Sequence, residues 1–138
     1  FNSLGIRYVT CSGLIPTGGA QLTLDSALTQ SDLYESLARA LEVARELGME
    51  LNFTNPGALT EAQLHTLGLQ VPICGACLDN MAVSPGGQVV SCQSALSEED
   101  PLGHILYDEW HHIWNSRKCR EMRKHSAGKN VCPLGGAK

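Results

Sequence analysis

Charged residues are sparse in this sequence, and long apolar runs are missing. Lys, Arg, Asp and Glu make up 17% of the 138 residues, with both signs present, a composition that argues against an intrinsically disordered chain. No apolar run approaches the roughly 20 residues that a membrane helix needs, and no signal peptide is visible. Apolar residues, at 43%, are sufficient for a core. We therefore expect a globular protein without a membrane partner.

Common catalytic arrangements are missing as well. The sequence shows no Ser-His-Asp set, no phosphate-binding glycine loop and no paired catalytic carboxylates. Its five histidines are weak evidence for any site. The first residue is Phe rather than Met, which leads us to expect a processed chain or, in preference, one cut from a longer protein.

Lys and Arg are absent from residues 71–116 and concentrated in residues 117–138, where seven of them accompany one acidic residue. A basic tail of this kind can bind nucleic acid. However, no aromatic residues are interleaved with it, and cations also collect near the C-terminal ends of helices. We therefore predict a basic helix end and no nucleic-acid partner.

The cysteines are the residues that most strongly indicate a functional site in this sequence. The six cysteines lie at positions 11, 74, 77, 92, 119 and 132. Cys74-Gly-Ala-Cys77, followed fifteen residues later by Cys92, has a spacing typical of zinc or iron–sulfur ligands. An even number of cysteines would suggest disulfides in a secreted protein. Their clustering in the second half instead favours metal binding in a reducing, cytoplasmic compartment.

A hairpin is predicted to bring three of these thiols together. Leu78–Val83 and Gln88–Cys92 are expected to be short strands, and Ser84-Pro85-Gly86-Gly87 between them is a strong turn signal. Because a hairpin reverses the chain, Cys92 is expected to return to the first two cysteines. The three thiolates would then face one point.

A closed metal site needs a fourth ligand, and without one a metal would keep an open position that could bind substrate. Cys132 is the better candidate because it follows the last predicted helix in a Gly-rich tail, whereas Cys119 within that helix is at least as plausible as a buried structural thiol. Three other interpretations remain: a thioredoxin-type dithiol, a structural zinc ribbon and unrelated buried thiols. Pro72 before the motif and the hairpin after it disfavour the dithiol, and the regular spacing disfavours unrelated thiols.

The pattern of residues 1–70 predicts a strand–helix–strand unit of α/β type. Strands are expected at Ile6–Thr10 and Met49–Phe53. The helix between them begins with a capping pattern at Thr29, repeats leucine every three or four residues and ends at Gly48. Strands joined in this way are expected to be parallel.

Three further features complete the organisation. Ser12–Gln30 is expected to be a long loop, and a short helix is expected to start at Thr60. Gln70–Pro72 is the predicted boundary between a first domain, residues 1–70, and a second domain, residues 71–138.

A single helix is predicted from Tyr107 to about Lys124. Trp110, Ile113 and Trp114 share one face of it. Tryptophans at helical spacing usually belong to a core, and we expect this face to be buried.

The second half resembles the SPASM or twitch domain, the auxiliary-cluster region of radical S-adenosylmethionine enzymes. In that family a Cys is followed by a Gly-x4-Cys sequence, and here Cys74 is followed by Gly87-Gln-Val-Val-Ser-Cys92. Residues 101–106, PLGHIL, and the Trp-containing segment after them are also similar. The first half resembles the last strand–helix–strand portion of the family's partial α/β barrel, with SGLIPTGGA and LGMELNFTNPG as its carboxyl-edge loops.

The resemblance implies a barrel remnant followed by a small hairpin-plus-helix module that holds one 4Fe–4S cluster. The ligands would be Cys74, Cys77, Cys92 and Cys132. The parent would be an enzyme of cofactor biosynthesis or of peptide or protein maturation, in which the cluster binds substrate or transfers an electron. Zinc is an alternative occupant of the isolated chain.

Two departures from the family pattern limit these expectations. The Cys-x3-Cys-x2-Cys motif that holds the radical-generating cluster is absent, so we expect no activity from this chain alone. S-adenosylmethionine would bind only in the full-length parent, and the partners would be its N-terminal barrel and an unknown peptide or small-molecule substrate. The dense cysteine run of a full SPASM domain is also absent, which argues against a second auxiliary cluster.

Overall fold

The computed structural model describes residues 2–95 and 100–133. The chain forms two compact units: residues 1–14 with 25–72, and residues 15–24 with 73–138. Both helices and strands are present, as an α/β sequence predicts. None of the helices formed by the described residues has the length and apolar character needed to cross a bilayer.

The first unit contains the predicted strand–helix–strand arrangement. Its elements are β1 (Tyr8–Cys11), α1 (Gln30–Glu46) and β2 (Glu50–Phe53). The two strands pair in parallel, and this confirms the predicted direction. The Thr29 hydroxyl accepts the backbone N–H of Asp32, which satisfies one of the unpaired amides at the start of α1.

Local end signals also determine the second helix of this unit, α2 (Glu61–Leu67). Thr60 and Gln63 form a reciprocal capping box, and Gly68 ends the helix in the left-handed conformation. Helix α1 packs on β2 and contacts α2, and an apolar core lies among these elements. Its buried members are Leu33, Leu37, Leu41, Phe53, Leu59, Leu64, Leu67 and Leu69.

The segment predicted as a long loop, Ser12–Gln30, is partly helical, so that expectation is wrong in part. Gly18–Ser26 forms 3₁₀ turns that are interrupted by a non-helical conformation at Thr23. None of its residues is buried. Such turns are short connectors without a packed face, and the apolar periodicity used to predict helices does not detect them.

The second unit contains a three-stranded antiparallel sheet in the order β3 (Ala82–Val83), β4 (Gln88–Val90), β5 (Gly103–His104). The predicted hairpin is confirmed, although its strands are shorter than expected. The third strand was not expected. It consists of two residues, one of them glycine, and its sequence has no strand signal of its own.

One contact between the hairpin and β5 explains the glycine of the Gly-x4-Cys pattern. Gly87 has a φ of +85°, and a Cβ at this position would lie 2.5 Å from Cε1 of the His104 ring. The N–H of Leu106 donates to His104 Nδ1 at 3.2 Å, so Nε2 carries the proton and donates to Gly86 O at 2.7 Å. The imidazole therefore holds the Gly86–Gly87 turn through this hydrogen bond and leaves no room for a side chain at residue 87.

The single helix predicted from Tyr107 to Lys124 is wrong. The structure has two helices, α3 (Trp110–Trp114) and α4 (Arg117–Ser126). Ser116 separates them, because its hydroxyl accepts the N–H of Cys119 at 3.1 Å and caps α4. An N-cap residue has extended rather than helical backbone, so a helix cannot run through it.

The predicted burial of the α3 face is also only partly correct. Ile113 is 2% exposed and belongs to the core, whereas Trp110 is 48% exposed. Trp114 is half-buried. Because α3 has only five residues, it cannot present the continuous face that a longer helix would have.

Candidate metal centre

The Cys74-Gly-Ala-Cys77 sequence forms a tight loop whose backbone amides converge on one carbonyl. Gly75 O accepts the N–H groups of Leu78, Asp79 and Asn80 at 2.9, 3.1 and 3.2 Å. A Cβ on residue 75 would overlap the Asp79 carboxylate and approach the Asn80 amide at 2.9 Å. A side chain at residue 75 would therefore require the Asp79 and Asn80 side chains to move.

Cys77 is fully buried, and its backbone is in the left-handed region with a φ of +57°. For a residue other than glycine this conformation costs on the order of 1–2 kcal/mol. The Cys77 N–H lies 3.0 Å from Asn80 O and 3.3 Å from Ser91 O. Because Ser91 directly precedes Cys92, the loop and the end of the hairpin are linked through the backbone, as predicted.

Cys74 connects the loop to the end of α4. Its N–H donates to Lys129 O at 3.0 Å, and its thiol lies 3.5 Å from the hydroxyl of Ser126. Ser126 is fully buried and also donates to Met122 O at 3.0 Å. Cys74 is therefore held beside the start of the tail that leads to Cys132.

Cys92 has the most informative electrostatic environment. Burial raises the pKa of its thiol, while the backbone N–H groups of Ser94 and Ala95 lower this pKa. Cys132 and Cys74 raise the Cys92 pKa further through charge repulsion. The Cys92 thiol is thus influenced by two thiols from two other segments of the second unit.

Cys119, the other candidate for the fourth ligand, has a different environment. It lies in the first turn of α4 rather than in the middle of a helix, and it is fully buried. Its sulfur accepts a hydrogen bond from Arg123 Nη2 at 3.4 Å. The thiols that raise the Cys92 pKa are those of Cys132 and Cys74, and the choice of Cys132 over Cys119 as the fourth ligand stays a prediction.

Within residues 2–95 and 100–133, no group of three or more His, Cys, Asp or Glu side chains is arranged to hold a metal ion. The ligand set Cys74, Cys77, Cys92 and Cys132 therefore remains a prediction. Its donor chemistry fits an iron–sulfur cluster or zinc, because four thiols can supply four soft thiolate ligands. The backbone N–H groups of Ser94 and Ala95 lower the Cys92 pKa and so favour its thiolate form.

Sequence reasoning missed three residues that support these cysteines. Ser91, Arg123 and Ser126 are each in contact with a cysteine or its backbone. Arg123 was visible only as one of several basic residues at a helix end. No local pattern indicates its contact with a residue 46 positions earlier in the chain.

Residues 74–134 match the family model of SPASM, an iron–sulfur cluster-binding domain. Searches of curated proteins and of solved structures found no match to the chain. The second half of the chain therefore contains a SPASM domain, and the predicted resemblance is confirmed there. The match begins at Cys74 and includes Cys77, Cys92 and Cys132.

Proposed function

We propose that residues 71–138 hold one auxiliary 4Fe–4S cluster through Cys74, Cys77, Cys92 and Cys132. The observation that carries this proposal is the match of residues 74–134 to an iron–sulfur cluster-binding domain, a segment in which the thiols of Cys132 and Cys74 raise the pKa of Cys92. A cluster bound there would supply a site for substrate ligation or for one-electron transfer. The chain itself supplies the thiols, the Ser94 and Ala95 amides and a partly buried setting.

We further propose that the chain belongs to a radical S-adenosylmethionine enzyme of cofactor biosynthesis or of peptide or protein maturation. The parallel β1–α1–β2 unit supports this, because partial α/β barrels are built from such units. The Cys-x3-Cys-x2-Cys motif is absent from the 138 residues. S-adenosylmethionine cleavage would therefore depend on a barrel that carries that motif, in a cytoplasmic enzyme acting on a peptide or small molecule.

A structural zinc module is the second candidate. The buried Cys77 and the loop folded over Gly75 support it, because a compact CxxC loop also suits tetrahedral zinc. In this case the metal would only stabilise the second unit. The two candidates differ in iron and sulfide content, in colour and in redox activity.

Anaerobic reconstitution of the full 138-residue chain with iron and sulfide distinguishes these candidates. We expect about four irons and four sulfides per chain, a brown protein, and loss of both in Cys74→Ala and Cys92→Ala. Cys11→Ala is the matched control, because Cys11 belongs to the first unit. A colourless chain that binds about one zinc through the same thiols and refuses iron would contradict the cluster proposal.

A further inference from the structure

Arg123 joins three segments of the second unit. Its Nε donates to Cys77 O at 2.8 Å, and its Nη2 donates to Trp114 O at 3.0 Å. The same Nη2 donates to Cys119 Sγ at 3.4 Å, and the guanidinium carbon lies 4.0 Å from the centroid of the Trp114 ring. Hydrogen bonds and stacking together fix the orientation of the planar guanidinium.

The hydrogen bond to Cys77 O lies at the strained residue of the Cys74–Cys77 loop. Cys77 has a backbone conformation that side-chain-bearing residues rarely adopt. A hydrogen bond from a charged donor is stronger than one between neutral groups. Arg123 therefore stabilises the peptide between Cys77 and Leu78, and with it the left-handed turn of the loop.

No carboxylate among the described residues neutralises the charge of Arg123. Within the described parts of the chain no carboxylate lies within 4.0 Å of its guanidinium, and the ion pair on α4 joins Arg117 and Glu121 instead. The guanidinium faces two carbonyl oxygens and a thiol. Its positive charge is thus directed toward the loop that carries two of the proposed ligands.

We propose that Arg123 is a positioning residue for the Cys74–Cys77 loop and that its charge raises the reduction potential of a cluster held there. The second part rests on the proposed function. Reduction adds negative charge to a centre already made negative by thiolates, and a fixed cation nearby favours that addition. Net charge near a cluster is one of the factors that set its potential.

Three variants separate the effect of the Arg123 hydrogen bonds on the loop from the effect of its charge on the cluster. Arg123→Gln removes the charge but keeps an N–H donor, and Arg123→Lys keeps the charge but loses the planar fork. Lys124→Gln is the matched control, because it removes one positive charge from the next position of α4, where the side chain is exposed. Tryptophan fluorescence checks that each variant folds.

The first measurement uses the metal-free chain and native-state hydrogen exchange. The Leu78 N–H, bonded to Gly75 O, is expected to exchange at least about tenfold faster in Arg123→Gln, since a bond from a charged donor is lost. Lys124→Gln should exchange as the wild type does. Equal exchange rates of the Leu78 N–H in the wild type, Arg123→Gln and Lys124→Gln would overturn the positioning role of Arg123.

The second measurement is the midpoint potential of the reconstituted chain. In Arg123→Gln we expect the reduction equilibrium to fall at least about tenfold, which is about 59 mV for a one-electron couple. Arg123→Lys should recover more than half of that change, and Lys124→Gln should show little change. Equal shifts in Arg123→Gln and Lys124→Gln, or no shift in either, would overturn the charge effect.

The two measurements also separate this inference from the proposed function. A wild-type chain that refuses iron would contradict both the proposed function and the charge effect. The exchange measurement would still decide whether Arg123 holds the loop, because it requires no metal.

Discussion

Replacing Gly87 by Ala should destabilise the second unit through its contact with His104. The left-handed conformation at residue 87 costs roughly 1–2 kcal/mol for a residue with a Cβ. The new Cβ would lie 2.5 Å from the imidazole, so the ring must move and its bond to Gly86 O at 2.7 Å is lost, which adds about 1 kcal/mol. We therefore expect a loss of about 2–3 kcal/mol in the free energy of unfolding.

The assay is urea unfolding of the metal-free chain followed by tryptophan fluorescence. Both tryptophans, Trp110 and Trp114, belong to the second unit, so the signal reports this unit alone. Gly86→Ala is the matched control, because a Cβ there meets only Ser84 Oγ at 3.8 Å and should cost under about 1 kcal/mol. Equal losses in the two variants would refute the role assigned to Gly87 and His104.

Three further outcomes follow from the structure. Cys132→Ala should lower iron uptake sharply while Cys119→Ala retains it, as measured by iron and sulfide analysis; the reverse order would make Cys119 the ligand. Ser116→Ala should destabilise the second unit by about 1 kcal/mol in urea unfolding, because the N-cap of α4 is lost; an unchanged midpoint would contradict this. Burial raises the pKa of Cys92 in the folded chain, so the metal-free unit should keep its full stability below about pH 8.5, the ordinary thiol pKa, and lose stability as the pH rises through the folded-state value. Cys92→Ser should remove that pH dependence.

Short-range signals explain most of what the sequence predicted correctly. Thr29, Thr60 and Gly68 determine helix ends through contacts within four residues, and the Pro-Gly-Gly turn determines the hairpin. The same turn predicted that the chain returns toward Cys74 and Cys77, and the Cys77 N–H lies 3.3 Å from Ser91 O, next to Cys92.

The errors arose where tertiary contacts decide the structure. Strand β5 has only two residues, and it pairs with β4 across a connection of more than ten residues. The break before Arg117 had a local signal in Ser116, but the apolar spacing across it favoured one helix. The position of Arg123 over Trp114 and beside Cys77 depends on packing between segments, and no pattern within either segment indicates it.

Iron-edge X-ray absorption of the anaerobically reconstituted chain tests the central claim most directly. If Cys74, Cys77, Cys92 and Cys132 hold a 4Fe–4S cluster, iron should have only sulfur as its nearest neighbours, together with a shell of iron–iron distances. Cys132→Ala should then introduce a lighter ligand to iron or abolish the iron–iron shell. Cys11→Ala should change neither the ligands nor that shell. A spectrum without an iron–iron shell, or a chain that binds zinc alone, would contradict the assignment.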